Sequence, residues 1–316
     1  MKCNLCGKYT QKIISPTLRG GEKRNVYYCE QCMLGMLDVE GLRENLKDFY
    51  DKDYRKKHKP TLDSQSNPDE LFETYVSFQK DRIALLKKYA NKQMRLLEIG
   101  CSAGMFLFHA RDYVHEVVGL DYDSKSAEFA TEKCHCQVIA GGIEDADFEE
   151  ESFDILCLFQ TLEHIQNPVE FIAKVKKYLK PHGIIHIEVP NLHDALVYAY
   201  NLPNHHGNFY FHSAHYWYFT KKSLLLLMEQ SGFKGEIVFT QDYNVLNHMH
   251  WISSDAPQQS AIAGLSAPRL PLRETLEREK RAEMDSFIQD MDKKYKDMLI
   301  ALGLSSNISF IGKKHE

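Results

Sequence analysis

The sequence has no apolar run near the roughly 20 residues that a membrane-spanning helix needs. Residues 1–6 also lack the apolar core of a signal peptide. The chain has no excess of positive charge, because its formal net charge is -5, and such a chain has no general attraction to nucleic acid or to an anionic membrane. We therefore expect a cytoplasmic protein without a membrane span, and a nucleic-acid partner is not favoured.

Disulfide bonds are not expected either, although the chain holds eight cysteines. Four of them form two CxxC pairs near the N-terminus, and the others are scattered through a region of α/β character. In a cytoplasmic protein this distribution favours a metal site together with ordinary buried thiols. The length of 316 residues and the hydrophobic content of 43% leave ample material for a buried core, in one large domain or two smaller ones.

The two CxxC pairs, Cys3 with Cys6 and Cys29 with Cys32, predict a structural zinc site. Four thiolates can close a tetrahedral zinc shell, and a closed shell has no open position for catalysis. A glycine turn and a strand-like stretch lie between the pairs, so we predict a zinc ribbon over residues 1–45. A redox role is the alternative for one CxxC, but two pairs fit zinc better. The local positive charge of the ribbon suggests an RNA-binding face or, more simply, a solvated surface.

Strands and helices alternate from about residue 90, which is typical of a parallel sheet covered by helices on both faces. A helix that begins at Pro68, with Asn67 as its cap, ends a connecting segment over residues 46–90. We predict an α/β core over residues 91–250, built on a Rossmann-like, mostly parallel sheet of seven strands. The predicted core helices are 168–179 and 221–231, and the predicted strands are 94–99, 116–120, 137–140, 153–158, 183–188, 235–239 and 307–311.

Residues 251–303 interrupt this alternation. Small residues are frequent over 260–267, and apolar residues then recur at helical spacing amid dense charge over 272–302. We therefore predict a helical insertion before the last strand of the core, which lies within residues 304–316. Such an insertion can serve as a lid or as the arm of a homodimer.

A glycine turn at residues 98–104 follows the first predicted strand and opens a helix. Gly100 and Gly104 let the backbone pass close to a ligand, at the carboxyl end of a strand, where open α/β sheets bind ligands. The spacing is GxxxG, whereas dehydrogenases have GxGxxG, so the turn lacks a glycine where a pyrophosphate would press on it. Another Rossmann-type nucleotide binder, or a glycine turn without a ligand, remains as an alternative.

A carboxylate, Asp121, ends the second predicted strand. It follows the glycine turn by about twenty residues, which places it to accept hydrogen bonds from both hydroxyls of a ribose. After the third predicted strand, residues 141–145 offer backbone amides and an acidic side chain to an adenine edge. These features together favour the nucleoside of S-adenosylmethionine as the ligand.

A loop rich in aromatic residues and histidines, residues 205–219, follows the fifth predicted strand. Its side chains would form an apolar pocket with a few polar groups, which suits the binding of a substrate. A histidine with a near-neutral pKa can remove the proton of an attacking hydroxyl or carbon acid. The alternative is a packed loop whose histidines satisfy backbone groups. For the whole cluster we favour a substrate wall.

Four segments of the chain, 97–104, 119–121, 153–165 and 179–183, resemble the successive motifs of class I S-adenosylmethionine-dependent methyltransferases. The resemblance runs from about residue 70 to 250 and includes the last strand. It implies that the glycine turn lies near the methionine part of the cofactor, that Asp121 binds the ribose, and that a Glu-His pair supports the site from behind. The residues implied in cofactor binding are Glu98, Gly100, Ser102, Gly104, Asp121, Tyr122, Ile143, Glu144 and Gln160, and the supporting pair is Glu163 and His164.

A four-cysteine zinc module ahead of such a core resembles the sugar C-methyltransferases and related enzymes of saccharide pathways. In those enzymes a Glu-His pair in the aromatic loop supplies the base, and the pair aligns here with Ala214 and His215. The resemblance therefore implies a base at His215 but lacks the glutamate beside it. Tyr75, on the lead-in helix, matches an aromatic residue that approaches the cofactor or the substrate, and it is otherwise a core residue.

The leading hypothesis is methyl transfer from S-adenosylmethionine to a small molecule, such as a nucleotide-linked sugar or another saccharide. The predicted catalytic residues are His215, His164 and Tyr75. An RNA methyltransferase that grips its substrate with the zinc ribbon is the second hypothesis, although the chain has no sustained basic stripe. A non-catalytic scaffold that retains the fold is the third, and the intact Gly100, Gly104 and Asp121 argue against it.

Overall fold

The computed structural model describes residues 1–39 and 67–315. The end of the predicted zinc ribbon (40–45) and the predicted connecting segment as far as residue 66 lie outside the described residues. The strands are β1 (Ile13–Thr17), β2 (Lys23–Cys29), β3 (Leu34–Leu37), β4 (Arg95–Ile99), β5 (Glu116–Asp121), β6 (Gln137–Ala140), β7 (Phe153–Phe159), β8 (Leu179–Pro190), β9 (Trp217–Tyr218), β10 (Phe233–Thr240) and β11 (Asn307–Lys314).

The larger of the two sheets has seven strands in the order β10-β11-β8-β7-β4-β5-β6. Five strands, β8, β7, β4, β5 and β6, run parallel, and β11 pairs antiparallel with both β8 and β10. Every residue of β7 except Asp154 is buried, as expected for a central strand covered on both faces. The predicted Rossmann-like, mostly parallel sheet of seven strands is confirmed. Its strand order reverses between β4 and β7, which opens a crevice at their carboxyl ends.

The helices flank this sheet and connect its strands. They are α1 (Pro68–Tyr75), α2 (Lys80–Leu86), α3 (Met105–Ala110), α4 (Ser124–Cys134), α5 (Pro168–Val175), α6 (Ala195–Tyr198), α7 (Pro203–His205), α8 (Lys221–Gln230), α9 (Val245–Ser254), α10 (Ala261–Leu265) and α11 (Arg278–Leu302). No helix among the described residues is both long enough and apolar enough to cross a bilayer.

The predicted lead-in helix is interrupted. Asn67 caps α1 as predicted, because its side chain accepts a hydrogen bond from the backbone N–H of Glu70 at 2.7 Å. However, α1 ends at Tyr75, and a short 3₁₀ turn, Val76–Phe78, separates it from α2. The prediction of one continuous helix was wrong because apolar spacing does not register a local change of hydrogen-bond pattern.

The smaller sheet joins the N-terminal segment to the aromatic loop. Its order is β1-β2-β3-β9, so that β3 pairs antiparallel with Trp217–Tyr218, and Gly35 lies opposite Tyr218. The side chain of Thr220 also donates a hydrogen bond to the carbonyl oxygen of Met33 at 2.9 Å. The N-terminal strands therefore pack directly on the loop that follows β8, and both belong to one continuous apolar core.

Three helices, α9, α10 and α11, lie between β10 and β11, and α9 begins at Val245, six residues before the predicted start of the insertion at residue 251. The longest of them, α11, exposes apolar side chains to solvent, of which Phe287 is 66% and Leu302 is 63% exposed. A homodimer formed through this helix stays a prediction.

Candidate active site

The glycine turn leaves the end of β4 and leads into α3. Gly100 and Gly104 have φ angles of 78° and 81°, in the left-handed region that glycine adopts without strain. A Cβ at Gly104 would lie 2.7 Å from the Cys134 sulfur, so the turn also needs glycine for close packing against α4. Ser102 has a φ of 51° without being glycine. Such conformations cost about 1–3 kcal/mol and concentrate where a ligand contacts the backbone.

Asp121, at the end of β5, is oriented by the turn. One carboxylate oxygen accepts a hydrogen bond from the Ser102 backbone N–H at 2.6 Å, and the other accepts one from Asp123 at 2.9 Å. A carboxylate has about four lone-pair sites, so both oxygens can accept further hydrogen bonds. The fixed carboxylate therefore fits the predicted role of binding the two hydroxyls of a ribose.

A single cavity of about 1280 Å³ extends from the glycine turn to the aromatic loop. Gly104 and Glu144 are not among its lining residues. Ten of the predicted cofactor-binding and catalytic residues line it: Tyr75, Glu98, Gly100, Ser102, Asp121, Tyr122, Ile143, Gln160, His164 and His215. The fold thus brings the predicted donor and acceptor residues to one space at the carboxyl ends of β4 and β7.

Glu144 contacts the cavity wall indirectly. Its carboxylate accepts a hydrogen bond from the hydroxyl of Tyr122 at 2.9 Å, and a Cβ at Gly142 would collide with both side chains. The pair leaves Ile143, which is buried, as the residue of this segment that lines the cavity. An apolar side chain there suits the face of an adenine ring.

Gln160 follows β7 in the left-handed conformation, with a φ of 52°. Its side-chain amide donates hydrogen bonds to Glu188 at 3.2 Å and to Asn307 at 3.1 Å. Both partners lie at the ends of neighbouring strands, so Gln160 is held against the sheet edge that faces the cavity. The sequence interpretation placed Gln160 here but did not identify the residues that orient it.

An ion pair between Arg82 of α2 and Glu188 of β8 closes this part of the cavity. The guanidinium donates to the carboxylate at 2.6 Å, and the Glu188 side chain is only 4% exposed. Burial acts to raise the pKa of Glu188, but the Arg82 charge outweighs it and holds that pKa below its usual value. Breaking a buried pair of this kind costs about 3–5 kcal/mol. A polar residue in the apolar spacing of α2 was the sequence signal for this pair, and it was missed.

Glu98, at the end of β4, is a second buried carboxyl group beside the glycine turn. Burial raises its pKa to about 8, partly opposed by the positive charge of Arg82 and reinforced by Asp121. At neutral pH the protonated form therefore predominates. A protonated carboxyl can donate a hydrogen bond into the cavity, whereas Asp121 can only accept.

Three side chains on the acceptor side, Glu163, His164 and His215, converge on one another and form what we call the Glu163 cluster. The Nε2 atoms of His215 and His164 lie 3.8 Å and 4.0 Å from one Glu163 oxygen. Burial raises the pKa of Glu163 to about 8. A carboxyl group therefore lies near the His215 ring, although the residue before His215 is Ala214 and not a glutamate.

The N-terminal strands build part of the same wall. Arg19 lines the cavity, and its side chain donates a hydrogen bond to the Phe209 carbonyl oxygen at 2.7 Å. The backbone N–H of Leu37 donates to Tyr216, the residue after His215, at 2.9 Å. The position of the aromatic loop therefore depends on the small sheet.

The four N-terminal cysteines converge at the far end of this small sheet. Cys3, Cys29 and Cys32 are buried, and no cysteine of the described residues forms a disulfide. All four sulfurs lie within 4.8 Å of one another, and the Cys6 and Cys29 sulfurs are 3.7 Å apart. Tetrahedral zinc with bonds of about 2.3 Å holds its sulfurs about 3.8 Å apart, so the cluster, which we call the cysteine cluster, fits a zinc ion.

Comparison with known proteins finds relatives that are similar to part of this chain. An uncharacterised protein of Methanocaldococcus jannaschii is 28% identical over 167 residues, which cover 53% of this chain and 77% of that protein. An uncharacterised methyltransferase of Schizosaccharomyces pombe is 29% identical over 125 residues, covering 35% of this chain and 45% of that protein. The chain thus matches less than half of the yeast relative.

Two further similarities concern a named enzyme and a solved structure. A dTDP-3-amino-3,6-dideoxy-alpha-D-glucopyranose N,N-dimethyltransferase of Streptomyces fradiae is 24% identical over 112 residues, covering 34% of this chain and 44% of that enzyme. The crystal structure of a SAM-dependent methyltransferase from Archaeoglobus fulgidus superposes with a TM-score of 0.51 at 20% identity, covering 78% of this chain and 97% of that one. The latter similarity confirms the fold.

The family model described as a methyltransferase domain matches residues 72–236, from α1 into β10. The match includes the glycine turn, Asp121, Gln160 and the Glu163 cluster, and it spans more than half of the chain. The chain therefore belongs to the methyltransferase domain family.

Proposed function

We propose that this protein transfers the methyl group of S-adenosylmethionine to a small-molecule acceptor. The observation that carries the proposal is the single cavity, which is lined by the glycine turn, by Asp121 and by both histidines of the Glu163 cluster. Membership of the methyltransferase domain family supports the identity of the donor. S-adenosylmethionine supplies an electrophilic methyl group on a sulfonium, so the protein needs mainly to hold donor and acceptor in line.

The donor end is assigned to four groups of this chain. Asp121 accepts hydrogen bonds from the ribose hydroxyls, and the turn around Gly100 carries the backbone past the methionine part. Ile143 packs on the adenine face, with Tyr122 and Glu144 fixing the segment beside it. Gln160, held by Glu188 and Asn307, borders the position of the methyl group.

The acceptor end is assigned to the aromatic loop. His215 assists the deprotonation of the acceptor, and buried Glu163 keeps a carboxyl group beside its ring. A saccharide, such as a nucleotide-linked sugar, is the acceptor class that we favour. The Streptomyces fradiae relative is named as an enzyme that acts on a nucleotide-linked amino sugar. Aromatic walls with a few polar groups suit a ligand of that kind.

We assign the cysteine cluster to a structural zinc ion. The convergence of four sulfurs supports this assignment, and a shell of four thiolates leaves no coordination position for a substrate. The predicted location in the cytoplasm, where thiols stay reduced, agrees with this assignment.

The test of the function is methyl transfer to a panel of acceptors, measured as the appearance of S-adenosylhomocysteine. Nucleotide-linked sugars should be methylated. The binding of these and other small-molecule acceptors should depend little on the salt concentration. Methylation of RNA, with binding that weakens steeply as salt increases, would favour the alternative hypothesis. Absence of transfer to every acceptor class would contradict the proposal.

The His215→Ala variant tests the acceptor wall. Turnover should fall by about 10²-fold or more, the usual contribution of a positioned acid–base group. The affinity for S-adenosylmethionine should remain, because His215 is not among the residues that we assign to the cofactor. Unchanged turnover would exclude a role for His215 in the reaction.

A further inference from the structure

Within the described residues, the buried carboxyl group of Glu163 has no hydrogen-bond partner. It is 0% exposed, and neither of its oxygens has a partner in the described part of the chain. An unpaired buried carboxylate is costly, because it loses its hydration without a compensating bond. Its backbone, in contrast, is hydrogen-bonded, since the Glu163 carbonyl oxygen accepts a hydrogen bond from the backbone N–H of Tyr216 at 2.8 Å. The fold therefore fixes a buried carboxyl group whose two oxygens have no hydrogen-bond partner among the described residues.

The two histidines of the Glu163 cluster present nitrogen atoms to this carboxyl group. Nδ1 of His164 lies 2.9 Å from the carbonyl oxygen of Ala214, and because a carbonyl only accepts, Nδ1 carries the proton. In the neutral ring, Nε2 then holds the lone pair, and it lies 4.0 Å from the Glu163 oxygen. In the ionised form that a metal ligand requires, the Glu163 oxygen and Nε2 are both acceptors, and their separation is too long for a hydrogen bond.

The separations fit ligands of a shared metal ion. Ligand atoms bound at about 2.0–2.2 Å from one ion can lie at most about 4.4 Å apart. The Glu163 oxygen meets this limit with Nε2 of both His164 and His215, at 4.0 Å and 3.8 Å. One ligand atom from each of the three residues lies within 4.8 Å of the other two. The ring planes of the two histidines are inclined at 78°, so they can approach one ion from different directions.

We propose that Glu163, His164 and His215 bind a divalent transition-metal cation at the acceptor end of the cavity. Two imidazoles and one carboxylate are a donor set for ions such as Mn²⁺, Fe²⁺, Co²⁺ or Zn²⁺. Both histidines line the cavity, whereas Glu163 lies behind them. The ion would therefore be held from the protein side and keep open positions toward the substrate.

The open positions suit the oxygen of an acceptor hydroxyl, which makes the reaction an O-methylation. The cation lowers the pKa of that hydroxyl, as metal ions do for bound water. The O–H bond breaks and its proton passes to solvent in the cavity, a new O–CH₃ bond forms, and the S–CH₃ bond breaks with its electron pair left on sulfur. This inference rests on the proposed function. In it, His215 assists the deprotonation of the acceptor by binding the metal ion.

Metal binding can be measured apart from catalysis. Mn²⁺ is the probe of choice, because it prefers carboxylate and imidazole to thiolate and so avoids the cysteine cluster. Titration of the zinc-loaded protein, followed by electron paramagnetic resonance, should show one bound Mn²⁺ per chain. Glu163→Gln and His215→Gln should each weaken this binding by about 100-fold or more, with S-adenosylmethionine affinity retained as proof of folding.

Matched controls come from the same cavity. Glu98→Gln removes an equally buried carboxyl group, and His205→Gln removes a buried histidine, both outside the Glu163 cluster. Both controls should bind Mn²⁺ like the unmodified protein. If the unmodified protein binds neither Mn²⁺ nor Co²⁺, or if Glu163→Gln and His215→Gln bind as well as the controls, the metal site does not exist.

The outcomes separate this inference from the proposed function. Methyl transfer without Mn²⁺ or Co²⁺ binding would refute the metal site and leave the methyltransferase intact. Metal binding that depends on Glu163, with no transfer to any acceptor, would support the site and contradict the proposed function. Transfer that rises with added Mn²⁺ only when Glu163 is present would support both.

Discussion

The cysteine cluster and the Glu163 cluster differ in their donor atoms and in their access to ligand. The first has four sulfurs, three of them on buried residues, at the end of a small sheet and away from the cavity. The second has two nitrogens and a carboxylate, and both of its histidines line the cavity. A closed shell of thiolates stabilises a fold, whereas an incomplete shell of harder ligands leaves room for a substrate. Under the assignments proposed above, the cysteine cluster stabilises the fold and the Glu163 cluster takes part in the reaction.

The two clusters are nevertheless linked through the small sheet. Cys29 ends β2, β2 pairs with β3, and β3 pairs with β9, which begins two residues after His215. Two strand pairings thus connect the cysteine cluster to the acceptor wall. Variants that damage one cluster or the other should separate effects on stability from effects on turnover.

The largest effect is expected for Cys29→Ser. A hydroxyl is a poor replacement for a thiolate, so zinc content should fall from one ion per chain to none. The loss is on the order of 10 kcal/mol of metal-binding free energy, enough to disorder β1 to β3 and the loop that pairs with them. Cys136→Ser, at a half-buried cysteine outside the cluster, should keep both zinc and the melting temperature. Retained metal in Cys29→Ser would contradict the closed site.

Glu163→Gln should show the opposite pattern. It removes a buried carboxyl group with no hydrogen-bond partner among the described residues, so the melting temperature should not fall. Turnover should fall by about 10²-fold, or about 2.7 kcal/mol of transition-state stabilisation. Equal losses of stability and turnover would mean that the Glu163 cluster is structural like the cysteine cluster.

Gly35→Ala tests the connection between the clusters. A Cβ at Gly35 would lie 2.9 Å from the Cβ of Tyr218 and 3.4 Å from Leu192, so β3 and β9 must separate. We expect a loss of about 1–3 kcal/mol in the free energy of unfolding, with zinc retained and turnover lowered. Gly207→Ala, in the aromatic loop, is the control. Its Cβ would lie 3.7 Å from the nearest atom, so stability and turnover should not change. Full activity in Gly35→Ala would contradict the claim that the pairing of β3 with β9 connects the two clusters.

Asp194, a buried carboxyl group of the cavity outside both clusters, should give the smallest effect. Burial raises its pKa from 3.8 to about 7. The folded state thus holds a proton that the unfolded state releases, and stability is present below pH 3.8 and lost as pH rises toward 7. Between pH 5 and pH 7, Asp194→Asn should remove about 2 kcal/mol of this pH dependence. Denaturant melts at pH 5 and pH 7 measure it, and an unchanged slope would contradict the assignment.

Much of the fold was predictable because it rests on local patterns. The apolar runs of β4, β5 and β7, the cap at Asn67 and the glycine turn each depend on neighbouring residues, and the similarity to a solved methyltransferase confirms the sheet they imply. The pairing of β3 with β9 was not predictable. It joins Gly35 to Tyr218 across a long stretch of sequence, and no periodic signal marks such a contact.

The same distinction holds for the site. Gly100 and Asp121 belong to a motif, so their place at the cavity followed from spacing. Glu163 was visible only as a support behind the site, because its unpaired oxygens and its distance from His215 depend on three-dimensional packing. The Arg82–Glu188 pair likewise joins residues far apart in sequence, and apolar spacing did not reveal their contact.

Calorimetric titration of S-adenosylmethionine into the unmodified protein and into Asp121→Ala is the most direct test of the central claim. The account predicts one binding site in the unmodified protein. It predicts at least about 10-fold weaker binding in the variant, because hydrogen bonds to a charged group contribute about 1.5–3 kcal/mol. No binding to the unmodified protein, or equal affinity for both proteins, would contradict the assignment of the cofactor to this sheet edge.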